Sequence, residues 1–330
     1  MNAGTLPIGI NIDGVLEHDG LPDPSPAERF AWIAESGAFD FIEKNLVVGE
    51  AFEPYLELVE RHGVPIGVLG GIFTAGRDEP RARDAIRLAG ALRTRLFNCQ
   101  LFARHADGHS IDDGEVAEFY LRLLEAGAAS GMRPSLEVHV DMWNEDFGRV
   151  EQVAERLART NTPLRITLDL AHLLYKIGNA EELALSGLTL AEAETRLRPE
   201  SPQAFFRQWL AEGWVVHAHA RAAVPNGPPN AWLRRGNDQP GRAIQYPMVE
   251  PPEGSFHSPW QPERLAPWRQ AMQQVLAHIA EHPEGELQQV ACEFIPFADC
   301  GGGARYSIRG NNLACAGWLR EQWQALHAPA

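Results

Sequence analysis

Eight short apolar or β-branched runs recur along the chain, separated by longer segments of helical pattern, and this alternation narrows the available folds more than any other feature. The runs are IGINIDG (8 to 14), FDFIEKNLV (39 to 47), PIGVLGGIF (65 to 73), RLFNCQLF (95 to 102), PSLEVHVD (134 to 141), LRITLDLA (164 to 171), WVVHAHAR (214 to 221) and QVACEFIPF (289 to 297). Between them, PAERFAWIAESG (26 to 37), AFEPYLELVERHG (51 to 63), DAIRLAGALRTR (84 to 95) and GEVAEFYLRLLEAGAAS (114 to 130) place apolar residues at helical spacing. Some close on Gly, the residue suited to a left-handed helix cap. Strand and helix in strict alternation imply parallel strands joined by right-handed crossovers. Eight such repeats in 330 residues predict one closed (β/α)8 TIM barrel domain spanning 1 to 330. An open Rossmann-like sheet is the competing architecture, but NIDGVLEHDG after the first run supplies no G-x-G-x-x-G turn. CGGGARYS (300 to 307) follows the last run and lacks a phosphate-loop Lys, so it reads as a plain loop.

One connection is unusually long. Residues 222 to 262 are rich in Pro, Gly and Asn and read as a loop after the seventh strand. On a barrel that loop falls at the C-terminal rim, where barrel enzymes place their sites, and the segment is expected to be an active-site loop.

Asp and Glu number 44 against 29 Lys and Arg, a formal charge of −15 that repels nucleic acid and anionic bilayers. No window approaches the ~18 apolar residues of a membrane span. The four cysteines form no C-x-x-C pair and fit buried free thiols. A cytoplasmic enzyme with no nucleic-acid or membrane partner is the expectation. The aromatic segment GWLREQWQAL (317 to 326) either packs on a second copy in a homo-oligomer or covers the barrel as a helix.

Side chains alternate faces along a strand, which sorts the polar residues of the later runs. In PSLEVHVD, Leu136, Val138 and Val140 face the helices, while Ser135, Glu137, His139 and Asp141 face the barrel interior. In WVVHAHAR, Trp214, Val216, Ala218 and Ala220 point outward and His217, His219 and Arg221 inward. Asp169 shares a face with Thr167, His172 follows at the strand end, and Glu293 is the only charged residue of the eighth run. Strands five to eight thus each bring a carboxylate or imidazole into one small volume. Carboxylates in a dry interior must be neutral, paired or bound to a cation, and a divalent metal is the economical solution. Two Glu, one Asp and one His suit Mn²⁺, Mg²⁺, Co²⁺ or Fe²⁺ more than a thiolate-preferring ion, with Zn²⁺ also open. His217, one layer deeper than His219, reads as support or core. His139 stays open between substrate contact and support.

The ordered series Glu137, DLAH (Asp169 to His172), HAH (His217 to His219) and EFIP (Glu293 to Pro296) resembles the xylose isomerase-like TIM barrel superfamily, which includes hexulose 3-epimerases, hydroxypyruvate isomerases, inosose dehydratases and apurinic endonucleases. The resemblance implies that Glu137, Asp169, His219 and Glu293 are metal ligands and that His172 contacts substrate oxygens. It places Arg221 near a substrate-binding Arg, at a shorter spacing from the ligand His than the family's. His139, the DMW segment after it and the extended loop depart from the epimerase pattern.

The chemistry implied is divalent-metal-dependent isomerisation or epimerisation of a keto-sugar or sugar derivative. Glu137 and Glu293 would move a proton next to a carbonyl through a metal-stabilised enediolate, with Mn²⁺ the expected ion. A lyase, dehydratase or deglycosidase is the alternative, motivated by His139 and by a loop whose Trp232, His257 and Trp260 could cover a bulkier carbohydrate, His257 serving as a substrate contact. An apurinic endonuclease needs more His and Asp ligands and a basic surface. A non-catalytic barrel is the remaining class.

Overall fold

The structure is a computed structural model, and it describes residues 4–328 except 48, 93, 95, 235–239, 243 and 298. Eight parallel strands close a barrel: β1 (Ile8–Asn11), β2 (Phe41–Asn45), β3 (Ile66–Phe73), β4 (Leu96–Leu101), β5 (Arg133–Glu137), β6 (Ile166–Asp169), β7 (Val215–Ala220) and β10 (Val290–Cys292). Each strand pairs with its neighbours in chain order, and β1 pairs with β10 to close the ring. An antiparallel hairpin, β8 (Asn230–Arg234) with β9 (Pro240–Gly241), lies in the long connection after β7. This is the (β/α)8 TIM barrel that the alternating pattern predicts.

The helices form where sequence signals converge. Pro26–Ser36 starts on a capping box between Ser25 and Glu28, with Pro26 in its first turn, and stops at Gly37 with φ +60°. Glu53–His62 stops the same way at Gly63, φ +70°. Asp113–Ala128 is capped by Asp112 and Glu115. The helix expected over 84 to 95 instead runs Glu79–Ala91, because Pro80 fits its first turn; residue 95 lies outside the described residues. The C-terminal helix Ile308–Leu326 covers the barrel: Cys315 and Leu319 are buried, and Trp318 packs on Trp268 with ring centroids 5.3 Å apart. Fully buried Ile, Leu, Val and Phe side chains on the outer faces of the strands contribute about 1.5–3 kcal/mol each. All four cysteines are free and buried.

The strands end earlier than the apolar runs. After β1, Asn11 accepts from the Asp13 amide at 3.1 Å and turns residues 12–14 into a 3-10 turn. After β5, Asn144 donates to the Glu137 carbonyl at 2.7 Å and accepts from the His139 amide at 3.2 Å. His139 therefore sits past the strand end, half-buried, and Asp141, expected on the interior face, is exposed with φ +62°. After β10, Asn312 and Gln245 accept from the amides of Phe294 (3.0 Å) and Ile295 (2.9 Å), so side chains replace the neighbouring strand.

One face assignment is corrected. Ile166 pairs with Val215 but Thr167 pairs with His217, so Val216 is the extra residue of a β-bulge. Val216 therefore joins Phe41, Val68, Leu96 and Ala291 in a small apolar cluster separate from the main core, instead of facing the helices. Phe41, Leu96 and Ala291 each lie two positions before a polar residue of the site (Glu43, Asn98 and Glu293), so this cluster forms the barrel floor. Trp214, Ala218 and Ala220 do pack outward on the main core.

The long connection is fastened to the C-terminal face. Ala222, Ala223 and Val224 are buried, and the Tyr246 amide donates to the Ala222 carbonyl at 2.8 Å. Ile244 packs with Val140, Ala171, Tyr175 and Ala223. Buried Arg242 reaches Glu145 at 2.6 Å and Glu182 at 2.7 Å, and Lys176 also holds Glu145, at 2.7 Å. Residues 235–239 and 243 of the expected loop lie outside the described residues.

Candidate active site

Four strands deliver one donor each to the C-terminal end of the barrel. Glu137 is the last residue of β5, Asp169 the last of β6, His219 the fifth of β7, and Glu293 follows β10. All four are buried, and one donor atom of each lies within 4.8 Å of the other three. His219 Nδ1 is 3.0 Å from Glu293 Oε2 and 3.5 Å from Glu137 Oε1.

Each carboxylate has one oxygen anchored by a neighbouring amide. Glu137 Oε2 accepts from Asn98 Nδ2 at 2.6 Å and from Gln100 Nε2 at 2.9 Å. Glu293 Oε1 accepts from Asn11 Nδ2 at 3.2 Å, and Asp169 Oδ1 from the Ala171 amide at 2.8 Å. The opposite atoms are left over: Glu137 Oε1, Glu293 Oε2 and His219 Nδ1 have no hydrogen-bond partner among the described residues. Buried polar atoms are normally satisfied, so three unpaired lone-pair atoms in one volume need an explanation. A divalent cation fits them, since oxygen and imidazole donors at mutual van der Waals distance are what such an ion coordinates.

The electrostatics point the same way. Burial pushes His219 down, but the carboxylates of Glu293, Glu43 and Glu137 overcome it and raise its pKa well above the usual range. Burial raises Glu137, and the charge of His219 more than offsets this, holding it at about 2. Burial pushes Asp169 up to about 7, with Arg221 opposing and the charge of Glu293 adding. The cluster thus attracts positive charge at the place where the unpaired atoms meet.

The other expected residues divide. Arg221, buried just past β7, donates to Asp169 Oδ2 and lies 3.6 Å from Glu293 Oε2. His172 Nε2 is 2.6 Å from Arg221 and 3.3 Å from Asp169 Oδ2; burial and nearby positive groups push its pKa well down. His139 packs its ring on His172 at 3.9 Å and donates from Nδ1 to the Val140 carbonyl, 2.6 Å away. His217 lies below, bonded at 3.0 Å to Glu43 Oε2. His257 is not brought to the cluster. Its ring stands against Phe256 (4.3 Å) and Trp232 (5.6 Å), and burial lowers its pKa to about 4.

Sequence reasoning missed Glu43, Asn98, Gln100 and Asn11. Glu43 Oε2 is 3.0 Å from the Nε2 of both His217 and His219, and its Oε1 accepts from Asn98 at 3.2 Å. A signal was present for Asn98 and Gln100, which alternate inside LFNCQL.

No protein-family model matches the chain, and no curated protein sequence matches it. Solved structures do. A xylose isomerase-like TIM barrel protein from Mycobacterium smegmatis in complex with magnesium aligns with a TM-score of 0.55 at 14% identity, covering 99% of this chain and 100% of the other. A D-tagatose 3-epimerase-like protein aligns with a TM-score of 0.52 at 14% identity over 98% of both chains. A D-allulose 3-epimerase from Methylomonas sp. aligns at 0.51 and 13% identity, again over 98% of both. Closed barrel, strand order and end-to-end alignment together give this chain the fold of the xylose isomerase-like TIM barrel proteins.

Proposed function

We propose that the protein is a divalent-metal-dependent isomerase or epimerase of a keto-sugar or sugar derivative. The observation that carries this reading is the set of three buried, unpaired donor atoms on Glu137, His219 and Glu293, with Asp169 beside them. These four residues would hold the ion, Mn²⁺ by preference, with Mg²⁺, Co²⁺, Fe²⁺ or Zn²⁺ as alternatives. The magnesium in the Mycobacterium smegmatis barrel protein supports a divalent ion. Bound there, the ion would polarise a substrate carbonyl and make the neighbouring C–H more acidic.

The chain's own groups supply the rest. Asn98 and Gln100 fix Glu137, and Asn11 fixes Glu293, so each presents one free oxygen in a set orientation. The carboxylates of Glu137 and Glu293 would move the proton at the carbon next to the carbonyl, one removing it and the other returning it. Arg221 and His172 hold substrate oxygens beside Asp169, and the burial of all of them excludes water. The segment 222 to 262, fastened by Arg242, serves as the active-site loop. The partner is a small carbohydrate; the charge of −15 opposes nucleic acid, and no described helix is long and apolar enough to cross a membrane.

The test is incubation of metal-loaded protein with keto-hexoses and keto-pentoses in D₂O, followed by NMR. Deuterium entering next to the carbonyl without loss of a group supports the proposal. Loss of water or of an aglycone indicates instead the lyase, dehydratase or deglycosidase reading, which the His139–His172 ring pair at the rim favours. Protein that binds no divalent ion and exchanges no proton sinks both.

A further inference from the structure

An imidazole offers a cation either nitrogen, and the partner of the other nitrogen decides which. His219 has its two nitrogens in different company. Nδ1 faces the unpaired oxygens of Glu293 and Glu137 at 3.0 and 3.5 Å, while Nε2 faces Glu43 Oε2 at 3.0 Å. Glu43 comes from β2, whose other neighbours in the ring supply no member of the four-donor cluster.

Glu43, His217 and His219 also lie close enough together to hold an ion of their own. Two observations weigh against that. His217 Nε2 stands 3.0 Å from Glu43 Oε2, the distance of an N–H bond to a carboxylate, while its Nδ1 faces the Gln289 amide at 3.5 Å, so the ring hydrogen belongs on Nε2, toward Glu43. An ion beside Glu43 would also require His219 to surrender hydrogens from both nitrogens if Nδ1 serves the main cluster. Glu43 Oε2 thus accepts two N–H bonds, and its Oε1 accepts a third from Asn98, which bonds Glu137 as well.

We propose that Glu43 is a positioning residue that keeps His219 protonated on Nε2 and so presents the Nδ1 lone pair to a single cation, with His217 and Asn98 locking Glu43 in place. This rests on the metal-binding reading of the same cluster. It makes β2 a structural partner of the site and ties the strand 7 histidine pair to one carboxylate.

The experiment uses the full chain labelled with ¹⁵N-histidine and titrated with Zn²⁺, alongside calorimetry with Mn²⁺. The expected spectrum shows His219 metallated at Nδ1 and protonated at Nε2, with one ion per chain. Glu43→Gln, folded by circular dichroism, is expected to bind about 10–100-fold more weakly. Should Glu43→Gln fail to fold, the wild-type spectrum and stoichiometry decide. Metallation at Nε2, two ions per chain, or unchanged affinity in folded Glu43→Gln overturns the proposal while leaving the metal reading intact. No ion bound by the wild-type chain overturns the metal reading itself, and this proposal with it.

Discussion

Two regions of this molecule gather the same residue types and treat them in opposite ways. In the barrel mouth, Glu137, Asp169, His219 and Glu293 are buried and leave three donor atoms unpaired. On the turn after β4, His105, Asp107 and His109 also cluster, with Asp107 Oδ1 3.1 Å from His105 Nδ1 and 2.5 Å from His109 Nδ1. There the side chain of Asp107 is 64% exposed, and His109 passes on to Glu115 at 2.9 Å, beside the cap of the following helix. Water and local hydrogen bonds satisfy the surface cluster, and exposed pairs of this kind contribute about 0–1 kcal/mol. A buried unpaired polar atom costs about 1–3 kcal/mol, and more if charged. Burial alone is not the distinction, because the Arg242 cluster is buried too. Both oxygens of Glu145 and of Glu182 there have hydrogen-bond donors. What marks the barrel mouth is burial together with unsatisfied lone pairs.

That contrast can be broken at several points. Glu137→Gln or Glu293→Gln is expected to lower kcat/KM by about 10²–10⁴-fold in steady-state assays, whereas Asp107→Asn leaves it unchanged. A comparable loss in Asp107→Asn would erase the distinction between the two clusters. Arg242→Met removes one of several partners from the half-buried Glu145 and Glu182, which keep Lys176 and Tyr175, and should cost about 1–3 kcal/mol in denaturant unfolding, with one ion still bound per chain. An ion at 100 times its dissociation constant should stabilise the chain by about 2.7 kcal/mol in thermal unfolding. The His105→Ala, His109→Ala double variant should show the same gain; a smaller gain would mean the surface cluster holds the ion. The smallest effect concerns pH. Hydrogen bonds to Glu115 and then Asp107 raise the pKa of His109, so its contribution to the turn is complete below the ordinary histidine range and fades as pH rises through the raised value. An NMR titration should find His109 above 6.5 and nearer to it in Glu115→Gln.

Much of the architecture was legible because the barrel repeats itself: eight apolar runs and the helical spacing between them survive errors of a few residues at each end. The ends were not legible, because Asn144, Asn312 and Gln245 stop strands from far away or from outside the run. The four-residue cluster was legible from alternation on strands five to eight. Glu43 was not, because it stands next to Lys44 in a run with charge on both faces, and only tertiary register pairs it with the histidines of β7. His257 illustrates a different limit. A polar residue in a loop expected near the rim carries no information about which way the loop folds, and here it turns toward Trp232 and Phe256.

The extra residue at Val216 divides β7 into two stretches with separate parity. Before it, counting places Val215 among the helices; after it, His217 and His219 turn to the interior. A single-codon deletion at this point would remove the extra residue and restore plain alternation, leaving Val215 outward and both imidazoles inward at the cost of one apolar side chain in the barrel floor. A deletion at Ala218 instead would make the two imidazoles neighbours and turn one of them out among the helices, so the strand should tolerate a change in length at the bulge but not beyond it.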